Sequence, residues 1–325
     1  MIARRTALAG AVALAAAAPA AAQRATAPTI GMLIGSPETN LRAEIAAFSA
    51  ELAARGWTAA RTPRLVIASA EDDPARLPGL ARVLVATSPD ALVAQLSENG
   101  TALAAATSTI PIVLAAGSDF VALGLTTGVA RPSRNVTGFS NLNDILDGKR
   151  LDLLLQVTPG ARRVGYIWNP NTARGRATSA RIESAAAARG IAAEPLPAGS
   201  DAEMLTVFDR ARTAGVEALV VVSDPVVGSN IDFIVERSAA LHLPAIYGYM
   251  TFARHGGLLT YAVDTNENWR GAARYVDRLL RGAKIAELPF QEPARIALTV
   301  NLITARRMAL TLPPMILAAA DEVIE

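Results

Sequence analysis

Cysteine is absent from the 325 residues, histidine occurs twice, aromatic residues make up 5% and charged residues 18%. A chain without thiols forms no disulfide, offers no sulfur to a zinc or iron–sulfur centre, and has no side chain on which an N-terminal lipid anchor could be built. His242 and His255 stand in unrelated contexts, with no H-E-x-x-H pair and no third ligand, so no metal site is expected. His242 reads instead as a helix end, where a cationic ring suits the dipole. The turn after the first apolar strand lacks G-x-G-x-x-G, and neither a P-loop nor a G-x-S-x-G elbow occurs, so no cofactor and no enzyme of those classes is expected. Nowhere do Lys and Arg cluster with aromatics, which argues against nucleic acid as a partner.

What is present is apolar substance, 51% of the residues, enough to fill two cores in a chain of this length. The opening MIARRTALAGAVALAAAAPAAAQ places Arg4 and Arg5 before an apolar run from Ala7 to Ala18, followed by Ala20, Ala21 and Ala22 in the pattern of an A-x-A cleavage site. This is the signature of an export signal over residues 1–22, since the run is too short and too rich in alanine to hold a bilayer well. The arginine pair also fits a twin-arginine address, so the route, Sec or twin-arginine, stays open. Residues 1–22 carry two arginines and no acid, and without them the formal charge of +2 falls to zero. A near-neutral, cysteine-free mature chain is expected to be a soluble monomer in a bacterial periplasm.

The rest alternates between strand and helix patterns. Thr29–Ile34 is a compact apolar strand, and Leu41, Ile45, Phe48 and Leu52 then mark one face of a helix that ends at Gly56. Strands are predicted over 64–70, 90–95 and 110–115, with helices from Asp73-Pro74 and from Glu98 between them. The alternation restarts with strands over 164–168, 191–196, 217–222 and 243–248, and helices over 172–189, 201–214 and 229–241. Two such runs predict an α/β protein of two Rossmann-like, doubly wound parallel-sheet lobes. The tetrapeptide AARG occurs at 53–56 and at 187–190, and in each run 25 residues separate the glycine of the first strand from the glycine of AARG, Gly31 to Gly56 and Gly165 to Gly190. DALV at 90 and EALV at 217, then IPIV at 110 and LPAI at 243, follow in the same order, which points to an architecture built twice. Asn135–Asn141 and Gly257–Ala262 are short β-prone pieces after each run, expected as crossing strands with a hinge between lobes. The expected division is 28–140 with about 263–290 as an N-terminal lobe, 141–262 as a C-terminal lobe, and 291–325 as a crossing strand and helices packed across both.

Several longer segments are similar to the periplasmic substrate-binding components of ABC importers, in the branch of the tryptophan/tyrosine type. They are DDPARLPGLARVLV at 72–85, ATSTIPIV at 106–113, RPSRNVTGFS at 131–140, GKRLDLLLQVTPGARRVGYIWNPN at 148–171, LPAIYGY at 243–249 and the final stretch from Val300 to Glu325. The resemblance implies a type I periplasmic-binding fold that closes over a solute, an inner-membrane permease and an ATPase as partners, and no catalysis. Three loops depart from the family pattern: IGSPETN after the first strand, Leu96-Ser97-Glu98 in place of Gly-Thr-Pro after the third, and Asp119-Phe120 in place of Asp-Pro after the fourth.

In open α/β sheets ligands lie beyond the carboxyl ends of the strands, where helix N-termini present unpaired N–H groups. That rule selects Ser36, Ser97, Asn99, Ser118 and Asp119 in the first lobe and Asn169, Asn171, Ser223, Asp224 and Tyr247 in the second. For an amino acid, Asp224 would take the ammonium and Ser97 the carboxylate, with Trp168, Phe120, Tyr247 and Tyr249 framing an apolar or aromatic side chain. The competing readings are local: Ser97 as a helix N-cap, Asp224-Pro225 as a turn opener, Asn169-Pro170-Asn171 as a turn, and Trp168 as core. An exported enzyme acting in the same cleft, and a sensor without transport, are the alternatives to a transport receptor.

Overall fold

Thr29–Ile34 is apolar on both sides of its backbone, and such a strand is stable only where both faces of a sheet are covered. In the computed structural model, which describes residues 27–293 and 295–325, it becomes β1 inside a parallel five-stranded sheet. With β2 (Arg64–Ser69), β3 (Ala91–Ala94), β4 (Ile112–Gly117) and β5 (Val136–Ser140), the spatial order is β2-β1-β3-β4-β5. The connecting helices are α1 (Arg42–Ala54), α2 (Leu77–Ala86) and α3 (Ser97–Ala106). α4 (Asp147–Val157) leads into the second run, β6 (Arg163–Trp168), α5 (Ala173–Ala187), β7 (Ala192–Pro197), α6 (Asp201–Met204), α7 (Val207–Thr213) and β8 (Ala218–Val221). It continues with α8 (Pro225–Ser229), α9 (Ile231–Ala240), β9 (Ala245–Tyr247), α10 (Thr251–Arg254) and β10 (Leu259–Val263). The end of the chain forms α11 (Thr265–Leu280), β11 (Ile296–Asn301), α12 (Leu302–Arg307), α13 (Pro314–Ala319) and β12 (Glu322–Ile324). The second sheet runs β12-β11-β10-β9-β8-β6-β7, parallel except where β10 meets β11. No helix among the described residues is long and apolar enough to cross a membrane, and the export signal over 1–22 lies outside the described residues.

The two sheets repeat one plan. β7-β6-β8-β9-β10 reproduces the order β2-β1-β3-β4-β5, and even the registers agree: Ile30 faces Ala91 as Val164 faces Ala218, and Leu92 faces Ile112 as Leu219 faces Ala245. Gly31 and Gly165 occupy the same place, each overlain by the leucine of the adjacent strand; a Cβ would come within 2.8 Å of Leu92 Cδ2 in the first case and 3.2 Å of Leu219 Cδ1 in the second. Gly56 and Gly190, the glycines of AARG, both follow a helix with positive φ, 90° and 68°, the conformation in which a glycine ends a helix without a Cβ clash.

Each sheet is sandwiched between apolar helix faces. Ile30, Met32, Val93 and Val113 pack under Phe48 and Leu52 of α1 and Trp269, Ala272 and Val276 of α11, while Leu33, Leu92 and Leu114 pack under Leu84 of α2 and Leu103 of α3. In the second lobe Tyr166, Val220 and Leu298 meet Leu154, Ile182 and Met308 on one side, and Ile167, Leu219 and Val221 meet Phe208, Ile234 and Phe252 on the other. Two helices expected to be continuous are broken. The 201–214 segment splits into α6 and α7, and the 229–241 segment starts afresh after Asn230, whose Nδ2 donates to Val226 O at 2.8 Å and Asp201 Oδ1 at 2.6 Å.

The chain passes between lobes after β5, after β10 and after Gln291. The first and last passages touch, because Gln291 N donates to Gly138 O at 2.9 Å and Ser140 N donates to Gln291 O at 2.6 Å. Beyond Gln291, the chain does not lie across both lobes as expected. β11 adds to the open edge of β10, β12 adds to β11, and Leu298, Val300, Met308 and Ile316 join the core of the second lobe. An edge strand left bare would expose unpaired backbone groups, which is the reason this edge captures the C-terminal segment.

Next to the first passage, Arg150 is 0% exposed, with Nη1 2.7 Å from Asp147 Oδ1 and Nε donating to Tyr261 O at 2.8 Å. Asp147→Ala is expected to destabilise the fold by about 3–5 kcal/mol in urea titration, since it leaves a buried guanidinium without its carboxylate. Arg212→Ala, which removes an exposed pair with Asp209, should cost less than about 1 kcal/mol.

Candidate functional site

The carboxyl ends of both sheets face a cavity of about 840 Å³ between the lobes. Ser36, Gln95 and Trp269 line it from the first lobe, Arg174, Ser229 and Tyr249 from the second, and Asp264 and Arg295 from the passages between them. At its side the lobes touch directly, where Ser229 Oγ donates to Asp72 Oδ2 at 3.2 Å.

The ten residues selected from the sequence are distributed unequally around this space. Ser36 lines the cavity. Ser97 does not offer a free hydroxyl: Oγ accepts from Ser118 N at 2.8 Å and donates to Ser118 O at 2.7 Å, so Ser97 and Ser118 clamp the β3 and β4 loops to each other. Asn99 is buried behind them and accepts from Leu96 N at 3.1 Å. Asp119 is exposed in a turn with φ 52° and is not part of the cavity wall. In the second lobe Asn169 Nδ2 donates to Asp224 Oδ1 at 3.2 Å and Asn169 Oδ1 accepts from Asn171 N at 3.0 Å, which joins these three residues. Asn171 itself is exposed and turns its Nδ2 to Gly199 O. Ser223 donates to Gly248 O at 2.8 Å, tying the β8 and β9 loops together.

Tyr247 is a correction. It is 1% exposed, stacked on Phe252 with ring centroids 4.4 Å apart, and burial pushes its hydroxyl up to about 12. It is still within β9, so its side chain follows the alternation of the strand onto the helix-covered face instead of pointing off the strand end. Phe120 is likewise a core residue, stacked on Phe290 at 4.2 Å. Of the four aromatics considered as a frame, Tyr249 reaches the cavity, and Trp269 and Phe233 join it unforeseen.

The cavity lining balances Arg174, Arg254, Arg270 and Arg295 against Glu44, Asp232, Asp264 and Glu322. Asp224, 6% exposed, caps α8 by accepting from Val226 N at 2.9 Å. Its carboxyl is held above the usual carboxylate range, first by burial and also by the charge of Asp72 across the cleft, against the opposing influence of Asn169, the Val226 N–H and Arg174. Asp72 is raised by burial too, and Glu44, whose Oε1 accepts from Thr265 Oγ1 at 3.2 Å, is raised for the same reason. Asp72, Gln95, Arg174 and Ser229 were not among the residues selected from sequence. The strand-end rule applied to β2 would have reached Asp72, two positions after Ala70; nothing in the sequence marks Arg174 or Ser229, which gain their position only when the lobes meet. Among the described residues, no group of three or more acidic or histidine side chains is placed to hold a metal ion.

Two lobes of one plan, linked by adjacent passages and enclosing a cavity at their strand ends, define a two-lobed binding protein. The chain belongs to the ABC transporter substrate binding protein family, whose model matches residues 39–324, and it is a substrate-binding protein. It is 20% identical over 240 residues, 74% of this chain and 69% of the other, to a tyrosine-binding protein of Clostridioides difficile strain R20291. Its fold is similar to that of an ABC domain in complex with L-Trp from Streptococcus pneumonia, with TM-score 0.82 and 22% identity over 92% of this chain and 100% of that one. A conserved domain protein of Vibrio cholerae matches at TM-score 0.82 and 23% identity over the same shares.

The raised carboxyl of Asp224 has a sign that can be tested. In the folded protein it holds its proton to higher pH than in the unfolded chain, so its contribution to stability falls as pH rises through the window between the two values. Asp224→Asn keeps the Oδ1 acceptor and removes the buried charge. Its thermal midpoint is expected above that of the wild type at pH 7, with the difference shrinking as the pH is lowered towards 4.

Proposed function

We propose that this protein is a periplasmic receptor that captures an amino acid with an aromatic or other apolar side chain and delivers it, unchanged, to an ABC permease and its ATPase. The observation that carries the reading is the interlobe cavity, lined by Ser36 and Gln95 on one side and by Arg174, Pro225 and Tyr249 on the other with Trp269 in the same space, while the buried carboxylate of Asp224 lies directly behind the lining residue Pro225 at the start of α8. An ammonium group there would satisfy Asp224 and relieve its repulsion with Asp72, and the rings offer an apolar surface to the side chain. The tyrosine-binding and L-Trp-bound relatives support the class of solute. The export pattern at the start of the sequence supports the compartment.

Isothermal titration with L-tyrosine, L-tryptophan and the other standard amino acids is expected to find a tight partner, and small-angle scattering to find a smaller radius of gyration when it binds. Asp224→Ala should weaken that binding at least tenfold, about 1.4 kcal/mol or more, with an intact circular dichroism spectrum. An unchanged affinity would remove Asp224 from the site; failure of every standard amino acid to bind would end the amino-acid reading. Mass spectrometry of the released solute should return it without chemical change.

A further inference from the structure

Gln95 leaves β3 and turns its carboxamide back onto the end of β1. Oε1 accepts from the backbone N–H of Gly35 at 2.7 Å and of Ser36 at 3.3 Å, and two backbone donors fix which end of the group is oxygen. Nε2 therefore points the other way. It meets Ser36 Oγ at 3.5 Å, the outer limit of a hydrogen bond. Both residues line the interlobe cavity. Beside them Asn99, 1% exposed, uses Oδ1 on Leu96 N and leaves Nδ2 buried with no partner among the described residues. The two carboxamides converge over Gly35, where a Cβ would lie 3.5 Å from Gln95 Oε1 and 3.7 Å from Asn99 Nδ2. At the cavity wall itself, Gln95 Nε2 has only the long contact to Ser36 Oγ, which leaves its donor capacity for an acceptor brought by a solute.

We infer that Gln95 is a specificity-determining residue of the solute site: its Nε2, together with Ser36 Oγ, receives an oxygen acceptor of the solute, a carboxylate or a carbonyl, while its Oε1 anchors the β1 loop. The Gly35 and Ser36 N–H groups, which at the end of this strand would otherwise be open to an anion, are taken by the protein's own side chain. The acceptor is read by a neutral amide in their place. The inference rests on the cleft being the solute site, but not on the solute being an amino acid.

Gln95→Glu separates the two tasks, because a carboxylate still accepts from Gly35 and Ser36 but has no hydrogen to donate. Titration calorimetry would compare wild type and variant with L-tyrosine, L-tyrosinamide, tyramine and succinate. The wild type is expected to prefer L-tyrosine over tyramine at least tenfold. Gln95→Glu should weaken L-tyrosine at least tenfold, and L-tyrosinamide less because its carbonyl carries no charge, with the thermal midpoint unchanged. Gln95→Ala, which also loses the loop anchor, should lower affinity and midpoint together. In the wild type the side-chain amide resonance of Gln95 should shift in ¹H–¹⁵N spectra when the probe binds, a readout that depends on no variant folding. The inference is overturned if Gln95→Glu binds the same probe as tightly as wild type, if the Gln95 resonance does not move, if tyramine binds as well as L-tyrosine, or if no acceptor-bearing probe binds. Binding of succinate alone, lost in Gln95→Glu, would overturn the amino-acid reading and leave the role of Gln95 standing.

Discussion

The first sheet is completed by a helix that arrives from beyond the second. α1 alone cannot cover the face formed by Ile30, Met32, Val93 and Val113, and the remaining cover comes from Trp269, Ala272 and Val276 of α11. Polar contacts fix the helix in place: Trp57 Nε1 donates to Asp277 Oδ1 at 2.8 Å, and Arg281 Nε donates to the same oxygen at 2.6 Å. Since the chain must return to the first lobe to supply α11 and leave again to supply β11, it has to pass between lobes three times. The passages then form the back of the cavity, with Asp264 and Arg295 in its wall. The burial demand of one sheet thus places the passages beside the cavity.

Closure and charge are linked by the same geometry. Asp72 and Asp224 come from opposite lobes, the charge of Asp72 raises the work of ionising the buried carboxyl of Asp224, and Ser229 of the second lobe donates to Asp72 of the first. A positively charged group between them would lower the energy of the closed arrangement more than that of an open one. Differential interaction of this kind is what allows a solute to bias a two-state equilibrium.

The architecture was legible in the sequence because its signals are periodic and local. Apolar strands bounded by glycine, the Leu41–Leu52 helix face and the repeated 25-residue interval each depend on near neighbours, and the structure places the matched residues in matched registers. The binding corner was legible in part. The strand-end rule reaches Ser36, which lines the cavity, and Asn169 and Asp224, which bond to each other behind it, but the rule says nothing of what a polar side chain will do on arrival. Ser97, Ser118 and Ser223 use their hydroxyl or backbone groups to fasten neighbouring loops, and Tyr247 falls one residue too early, where strand alternation still controls its direction.

By itself, then, the sequence determined two βα runs, their order and the loops that would gather at one end, because backbone geometry and hydrophobic periodicity act over a few residues. The tertiary structure decided which side chains at that end remain available. Gln95 meets Gly35 across 60 residues, Ser229 meets Asp72 across 157, and Trp57 meets Asp277 across 220. No local pattern encodes those meetings; they exist because burying both faces of each sheet leaves the chain one way to return.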